Sequence, residues 1–434
     1  MSDSETEMTE RTTSSEDSSS SNEVPDLGHN LVVFGWIFAE KIGSGGYGSV
    51  YRAMKDGMVA AVKSEFSEEK KQNLGNEVRQ LRLLQWSEHF CRLYFACKVP
   101  YQDSRVNLMF MSFVGRPLSR LRRMMPKKKF TKSTAALLAL QCFHAIQDLH
   151  SVGLVHRDVK ASNFAWDPAT RKAIMLDLGF CRRILVEDPE TKELKHREPR
   201  KSPGFTGTER YCSVFVHREV DQGRRDDMWA WLYMICEFFS GQLPWCDEEE
   251  SKWVLRMKLE GSEKVVLKCP REMVAIYASI VPLKFKSKPN YALIESKFRQ
   301  MFLRLDIHES DIMDFEEGSK YYEEHYKGKK TKSEKDFSKK KGSSAGSFCC
   351  SMGNGRKDMV ELPYVTNAVK SNTSRSSMSS YSDDVNPLAL RPPKPKANSI
   401  KPPPAPVPHN DQNRLAAGLN RVIRKLVPYK EKHK

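Results

Sequence analysis

The residues from His156 to Phe180, HRDVKASNFAWDPATRKAIMLDLGF, narrow the choice of fold and chemistry more than any other stretch of the chain. One polar run holds His156, Arg157, Asp158, Lys160 and Asn163. A second holds Asp177 and Gly179, and an apolar, β-like stretch separates the two. Phosphoryl transfer needs metal-bound phosphates, an in-line hydroxyl and an acceptor for its proton. Asp158 is the candidate base, and Lys160 can neutralise charge on the transferred group. Asn163 and Asp177 supply oxygens for Mg2+, a hard cation that prefers oxygen ligands. Arg157 anchors the loop in this reading, and His156 is structural.

Upstream, GSGGYGSV sets Gly43, Gly45, Gly48 and Val50 in a G-x-G-x-x-G-x-V pattern. Alone the spacing is a weak signal, because dinucleotide-binding folds use a similar one. Those folds need a helix after the glycines, whereas strand-like residues flank these on both sides. The glycines therefore sit in a hairpin that can fold over phosphates, where a residue without Cβ lets the backbone approach closely. No GxxxxGK[ST] sequence occurs, which argues against a P-loop ATPase. VAAVKSEF puts Lys63 on the next strand, placed for the α and β phosphates. Glu77, on the following helical stretch, is the carboxylate that can hold it.

Residues 31–314 read as globular. The first part is strand-rich, with turn chemistry at Asp56-Gly57. Leu74, Val78, Leu81 and Leu84 recur at helical spacing. Beyond about Gly115 helices dominate, among them STAALLALQCFHAIQDLHSVG with Ser133 as a candidate cap. MWAWLYMICEFF is too short to cross a bilayer and reads as a buried helix. The expectation is an α+β fold of two lobes: a small β-rich one over about 31–114 and a larger helical one over about 115–314.

The flanks differ in composition. Residues 1–30 form an acidic, Ser-rich segment of formal charge about −7, with no apolar core of a signal peptide. Residues 315–410 are a charged, then Ser- and Pro-rich linker whose prolines favour polyproline II, suited to a spacer or to SH3 or WW docking. Residues 411–434 read as a basic amphipathic helix, with Leu415, Leu419, Val422, Ile423 and Leu426 on one face. Residues 327–434 carry about +15 of the net +16. Such a tail suits an anionic surface. It carries no aromatic-interleaved or RNA-module motif, so specific nucleic-acid binding is not expected. The ten cysteines show no CxxC pair and no metal-ligand spacing. That fits reduced thiols in the cytoplasm, with the nucleus as the alternative.

Taken together, these motifs resemble the eukaryotic protein kinase family from about Trp36 to about Asp314. Lys160 and Thr208, in GFTGTERYCS, are similar to the serine/threonine branch. NLMFMSFVGRPLSRL, GTERY, GRRDDMWAWLYMICEFFSGQLPW and KPNYALIESKFRQMF resemble the casein kinase I superfamily, most of all its tau-tubulin kinase branch. The resemblance implies a bilobal fold with ATP and Mg2+ in the cleft and protein substrates, acidic, phosphorylated or cytoskeletal. It implies that Ile42, Val50 and Ala61 line the nucleotide site and that Met111 is the gatekeeper. The backbones of Ser112 and Val114 would meet adenine. Asp227 matches the residue that braces the catalytic loop, and Arg225 lies beside it at a position rich in basic residues.

Two features depart from the common pattern. Leu178 stands where Phe is more frequent in the metal-binding triplet, but it removes no catalytic group. The segment VEDPETKELKHREPRKSPGF is long and charged. Arg197, Arg200, Lys201, Arg224 and Arg225 could together form a basic surface for acidic substrates, since Arg pairs well with carboxylate and phosphate. The rival reading is a catalytically weak scaffold that keeps the fold and acts through its tails.

Overall fold

The computed structural model describes residues 27–326, apart from 29, 46–47 and 67–72. The segments expected before residue 27 and after residue 326, including the amphipathic helix over 411–434, lie outside the described residues.

The N-terminal lobe is one antiparallel sheet built from β1 (Val32–Val33), β2 (Trp36–Gly45), β3 (Gly48–Lys55), β4 (Met58–Phe66), β5 (Leu93–Tyr101) and β6 (Ser104–Ser112), in the order β1-β2-β3-β4-β6-β5. Asp56 and Gly57 take left-handed φ values of 48° and 79° and pair Lys55 with Met58. This is the tight turn that matches strand twist, and it explains the Asp-Gly sequence. The sheet curls until its two sides meet. Trp36 of β2 stacks on Tyr94 of β5 at 6.1 Å, and Phe34 meets Phe95 edge-on at 6.0 Å. Alternating residues of the strands send Phe38, Tyr51, Val62, Leu108 and Phe110 inward as a separate core. Leu27 and Leu31 complete it, the Leu27 N–H donating to the Tyr51 hydroxyl at 3.0 Å.

Helix α1 (Leu74–Leu83) packs on this sheet. The buried Glu65 carboxylate of β4 caps it, accepting from the Asn73 and Leu74 N–H groups at 2.6 and 3.2 Å. A negative charge at a helix N-terminus satisfies orphan donors and complements the dipole.

The second lobe contains α2 (Leu118–Met124), α3 (Lys132–Ser151), β7 (Leu154–Val155), β8 (Phe164–Asp167), β9 (Lys172–Met175), β10 (Arg182–Arg183), β11 (Leu185–Glu187), β12 (Leu194–His196), α4 (Arg224–Ser240), α5 (Ser251–Val266), α6 (Glu272–Ile280) and α7 (Tyr291–Leu305). β8 and β9 form a hairpin, as do β11 and β12, while β7 pairs with β10. Helix α4, the MWAWLYMICEFF segment, is buried from Arg225 to Phe239. A helix apolar on all sides must lie in a core, and α3 packs along it. Gly241 ends α4 in a left-handed conformation at φ 89°.

Two sequence expectations need correction. Helix α3 is capped by Thr131, whose hydroxyl accepts from the Thr134 N–H at 3.3 Å, and not by Ser133. Ser133 instead donates to Asp311 at 2.8 Å. The packed body also runs past both ends of the 31–314 span. Leu27 is buried, and Phe315 meets Phe130 and Trp166 at 6.0 and 5.6 Å. A single apolar residue at each edge of a polar segment carries no period, so no local pattern marks these anchors. Among the described residues no helix is long and apolar enough to cross a membrane.

Trp231 sits at the middle of the helical core. Its ring meets Phe143 at 5.6 Å and Phe298 at 6.0 Å, and its indole N–H donates to the Ala139 carbonyl at 3.1 Å. Trp231→Ala is expected to cost about 3–5 kcal/mol. Denaturant titration against Trp253→Ala, whose ring is exposed, checks this. Equal losses would contradict the central packing of Trp231.

Candidate active site

The glycine run forms the β2–β3 hairpin, with Gly43 opposite Val50 and Gly45 opposite Gly48. Gly48 has φ 139°, and a Cβ there would lie 1.9 Å from the Ser64 carbonyl oxygen. Only glycine fits that approach. Ile42 is exposed, Ala61 is buried beneath the hairpin on β4, and Ala61 pairs with the half-buried Met111 of β6. The Ser112 N–H is spent on the Arg92 carbonyl at 2.8 Å. Of its two backbone groups, the carbonyl is the one that could be offered to a ligand. Val114 follows in the half-buried segment that joins the lobes.

Lys63 of β4 links both lobes. Its ammonium donates to Glu77 of α1 at 2.7 Å and to Asp177 at 3.0 Å. Burial alone would lower the lysine pKa, but the two carboxylates outweigh it and hold the group above its ordinary value. Burial pushes the Asp177 carboxyl up, and Lys63 more than offsets it, leaving the pKa below its usual range. Glu77 also accepts from the Leu178 N–H at 3.2 Å. Leu178 is 3% exposed and belongs to the main core. The residue that departs from the common pattern is thus an apolar packing group, and its backbone is clamped by the carboxylate that clamps Lys63.

The first polar run closes around Thr208. Asp158 accepts from the Thr208 hydroxyl at 2.7 Å and pairs with Lys160 at 2.7 Å, while Lys160 donates to Thr208 at 2.9 Å. The Asn163 amide nitrogen donates to the Asp158 backbone carbonyl at 2.9 Å. Arg157 and Asp177 have left-handed φ values of 71° and 56°. Such non-glycine backbone costs about 1–3 kcal/mol per residue and persists only where the surroundings enforce it. At Arg157 the enforcing group is Asp227 of α4, which accepts from the Arg157 and His156 N–H groups at 2.8 and 2.7 Å. The Arg157 side chain donates to the Phe180 carbonyl at 2.6 Å, which anchors the start of the following segment. His156 is fully buried, and its Nδ1 accepts from the Asp158 N–H at 3.3 Å.

Asn163 and Asp177 suit Mg2+. The asparagine nitrogen faces Asp158, so its carbonyl oxygen remains for a cation. On Asp177, Lys63 and the Gly179 N–H both engage Oδ1. Two protein oxygens are the usual share when phosphate oxygens complete the shell.

The basic residues divide differently from the sequence expectation. Arg225 is 6% exposed, packs 3.6 Å over the Phe215 ring and pairs with Asp226 at 3.3 Å, so it braces the fold and presents no surface charge. Arg224 donates to the Lys286 carbonyl at 3.1 Å. Arg200 forms a two-nitrogen pair with Asp221 and lies near Arg157 and Arg182. Burial and these two neighbouring guanidiniums depress the Arg157 pKa. Three arginines against one carboxylate leave net positive charge at this point. Arg197 and Lys201 are exposed.

Sequence reasoning missed the supports under Thr208. Gly207 has φ 117°, and a Cβ there would meet the Arg157 carbonyl at 2.6 Å. Tyr211 donates to Glu237 at 2.6 Å, and Glu237 pairs with Arg122 at 3.2 Å. Lys258 is fully buried and donates to the Glu209 and Cys212 carbonyls at 2.6 and 2.7 Å. Burial lowers its pKa to about 8. These partners lie about 25 to 115 residues apart in sequence, and no local period marks them.

The chain matches the protein kinase domain family over residues 36–305. It is 32% identical over 293 residues to a protein of Dictyostelium discoideum named a probable serine/threonine-protein kinase, covering 66% of this chain and 57% of that protein. It is 33% identical over 194 residues to the serine/threonine-protein kinase spe-6 of Caenorhabditis elegans, covering 42% of this chain and 49% of that one. The chain thus spans about half the length of these curated relatives.

His217 faces Lys258 at 3.1 Å, and burial, then that ammonium, lower its pKa to about 3. Unfolding restores the ordinary value of 6.5. Between these values the unfolded chain binds the extra proton, so stability falls as pH drops through that window. The denaturation midpoint of the native protein should decline from pH 7 to pH 4 more steeply than that of His217→Gln. Parallel curves would remove His217 as a cause.

Proposed function

The chain belongs to the protein kinase family, and from that premise we propose that it transfers the ATP γ-phosphate to serine or threonine hydroxyls of protein substrates. The observation that carries the reading is the closed triangle of Asp158, Lys160 and Thr208, with every side between 2.7 and 2.9 Å. In this reading Asp158 orients the incoming hydroxyl and accepts its proton as the bond to phosphorus forms. Lys160 offsets charge on the transferred group, and Thr208 fixes the carboxylate rotamer. Lys63, held by Glu77, meets the α and β phosphates under the glycine hairpin. The Met111–Val114 segment receives adenine. Mg2+, held by Asn163 and Asp177, would neutralise the phosphate oxygens.

On the finer scale we place the chain in the casein kinase I superfamily, nearest its tau-tubulin kinase branch, and assign it acidic or phosphate-bearing substrates in the cytoplasm. The cluster of Arg157, Arg182 and Arg200 supports the substrate class, because guanidiniums pair in two-pronged fashion with carboxylate and phosphate. Their shared counter-charge, Asp221, balances only one of them.

Two measurements test this. Transfer of ³²P from Mg-ATP to casein should fall by about 10²–10⁴-fold in Asp158→Asn, the usual share of a positioned base. Activity retained in that variant would refute the role of Asp158. Arg182→Gln with Arg200→Gln should reduce kcat/KM for a phosphate-bearing acidic peptide about tenfold more than for a neutral one, the loss of one charge-assisted contact. Equal losses would refute the substrate class.

A further inference from the structure

The catalytic loop hangs on Asp227, and Asp227 has a support of its own. Its carboxylate lies wholly inside the protein, where it accepts three N–H groups: His156, Arg157 and the His150 ring nitrogen Nε2 at 2.9 Å. Burial by itself would raise its pKa, but the His150 hydrogen bond first, with the other contacts, holds it below the usual range, so the group stays ionised. His150 lies on α3 and is 3% exposed. Its other nitrogen, Nδ1, is 2.8 Å from the hydroxyl of Tyr291, the first residue of α7.

An imidazole carries its proton on one nitrogen or the other, and its second partner decides which. Burial keeps the His150 pKa below its ordinary value, so the ring is neutral. With Tyr291 donating to Nδ1, the proton must sit on Nε2, facing Asp227. Without that donor the ring can take the opposite tautomer, and an Nε2 lone pair would then face a buried carboxylate. The hydroxyl therefore keeps a donor on Asp227, and Asp227 in turn holds the strained Arg157 backbone at φ 71°. Helix α7 is also clasped to α3 one turn away, through His144 and Glu295 at 2.7 Å. Tyr291 itself forms part of the wall of a cavity of about 690 Å³, together with Trp86, His144 and Glu295.

We propose that Tyr291 and His150 are positioning residues for phosphoryl transfer: the Tyr291 hydroxyl sets the His150 tautomer, and His150 sets the Asp227 carboxylate that holds the His156–Arg157 backbone and so aims Asp158. This rests on the kinase reading for its effect on rate, but its geometric part does not.

Tyr291→Phe removes one oxygen and keeps the ring. In the full chain, hydrogen–deuterium exchange at the His156 and Arg157 amides should accelerate about tenfold, while the amides of α3 and α4 keep their protection. The same variant should lower kcat about tenfold with KM for ATP and peptide within about twofold of wild type, the pattern of an interaction made only in the transition state. His150→Gln, whose amide nitrogen can take the place of Nε2 and still donate to Asp227, should retain more activity than His150→Ala. Unchanged exchange at the two amides overturns the proposal, and so does a lowered thermal midpoint with kcat intact. If the wild-type chain transfers no phosphate, the kinase reading fails, and the exchange result alone still decides whether Tyr291 supports the loop.

Discussion

The buried carboxylate of Asp227 is the interaction on which the remainder of the second lobe depends. A charge removed from water is costly unless hydrogen bonds replace its hydration. Here three N–H donors do so, and each bond to a charged group contributes about 1.5–3 kcal/mol. The bonds also do geometric work. They hold Arg157 in a left-handed conformation that a free chain avoids, and that bend places Asp158 beside Lys160 and Thr208. Helix α4 can present Asp227 in a fixed position because its own flanks are buried among aromatic rings.

Lys63 plays the corresponding part between the lobes. The sheet supplies the ammonium, α1 supplies Glu77, and the second lobe supplies Asp177. Glu77 reaches further, to the Leu178 backbone. One carboxylate therefore ties the position of α1 to that of the Asp177–Gly179 segment. Leu178 fits this arrangement because the site asks for an apolar side chain in the shared core and a backbone N–H toward Glu77. An aromatic ring is not needed for either.

The long charged segment after Phe180 is less free than its composition suggests. β11 and β12 zip part of it into a hairpin, and Arg200 is fastened to Asp221. Below it, Lys258 and the Tyr211–Glu237–Arg122 chain carry the residues around Thr208. These buried polar contacts join into networks, which hold the segment around Thr208 rigid.

The sequence by itself determined the groups and their order: the glycine hairpin, Lys63, Glu77, the Asp158–Asn163 run and Asp177. It could do so because each works within a local unit, a turn, a strand or a short loop, whose chemistry is written in neighbouring residues. The Asp56-Gly57 turn and the buried character of α4 were legible for the same reason, since turn type and apolar periodicity are local properties. The tertiary structure alone decided which charges are free. Arg224 and Arg225 are adjacent and chemically alike in the sequence. Yet one reaches a surface carbonyl and the other lies sealed under Phe215, because a helix turns neighbouring residues through about 100°. The same holds for Thr131 displacing Ser133 as the cap, for Lys258 and for the Tyr291–His150–Asp227 chain. Asp311 draws Ser133 away from the cap, Lys258 meets the Glu209 and Cys212 carbonyls, and His150 meets Asp227 and Tyr291; these partners lie 46 to 178 residues away, and only the packing of the second lobe brings them within hydrogen-bond distance.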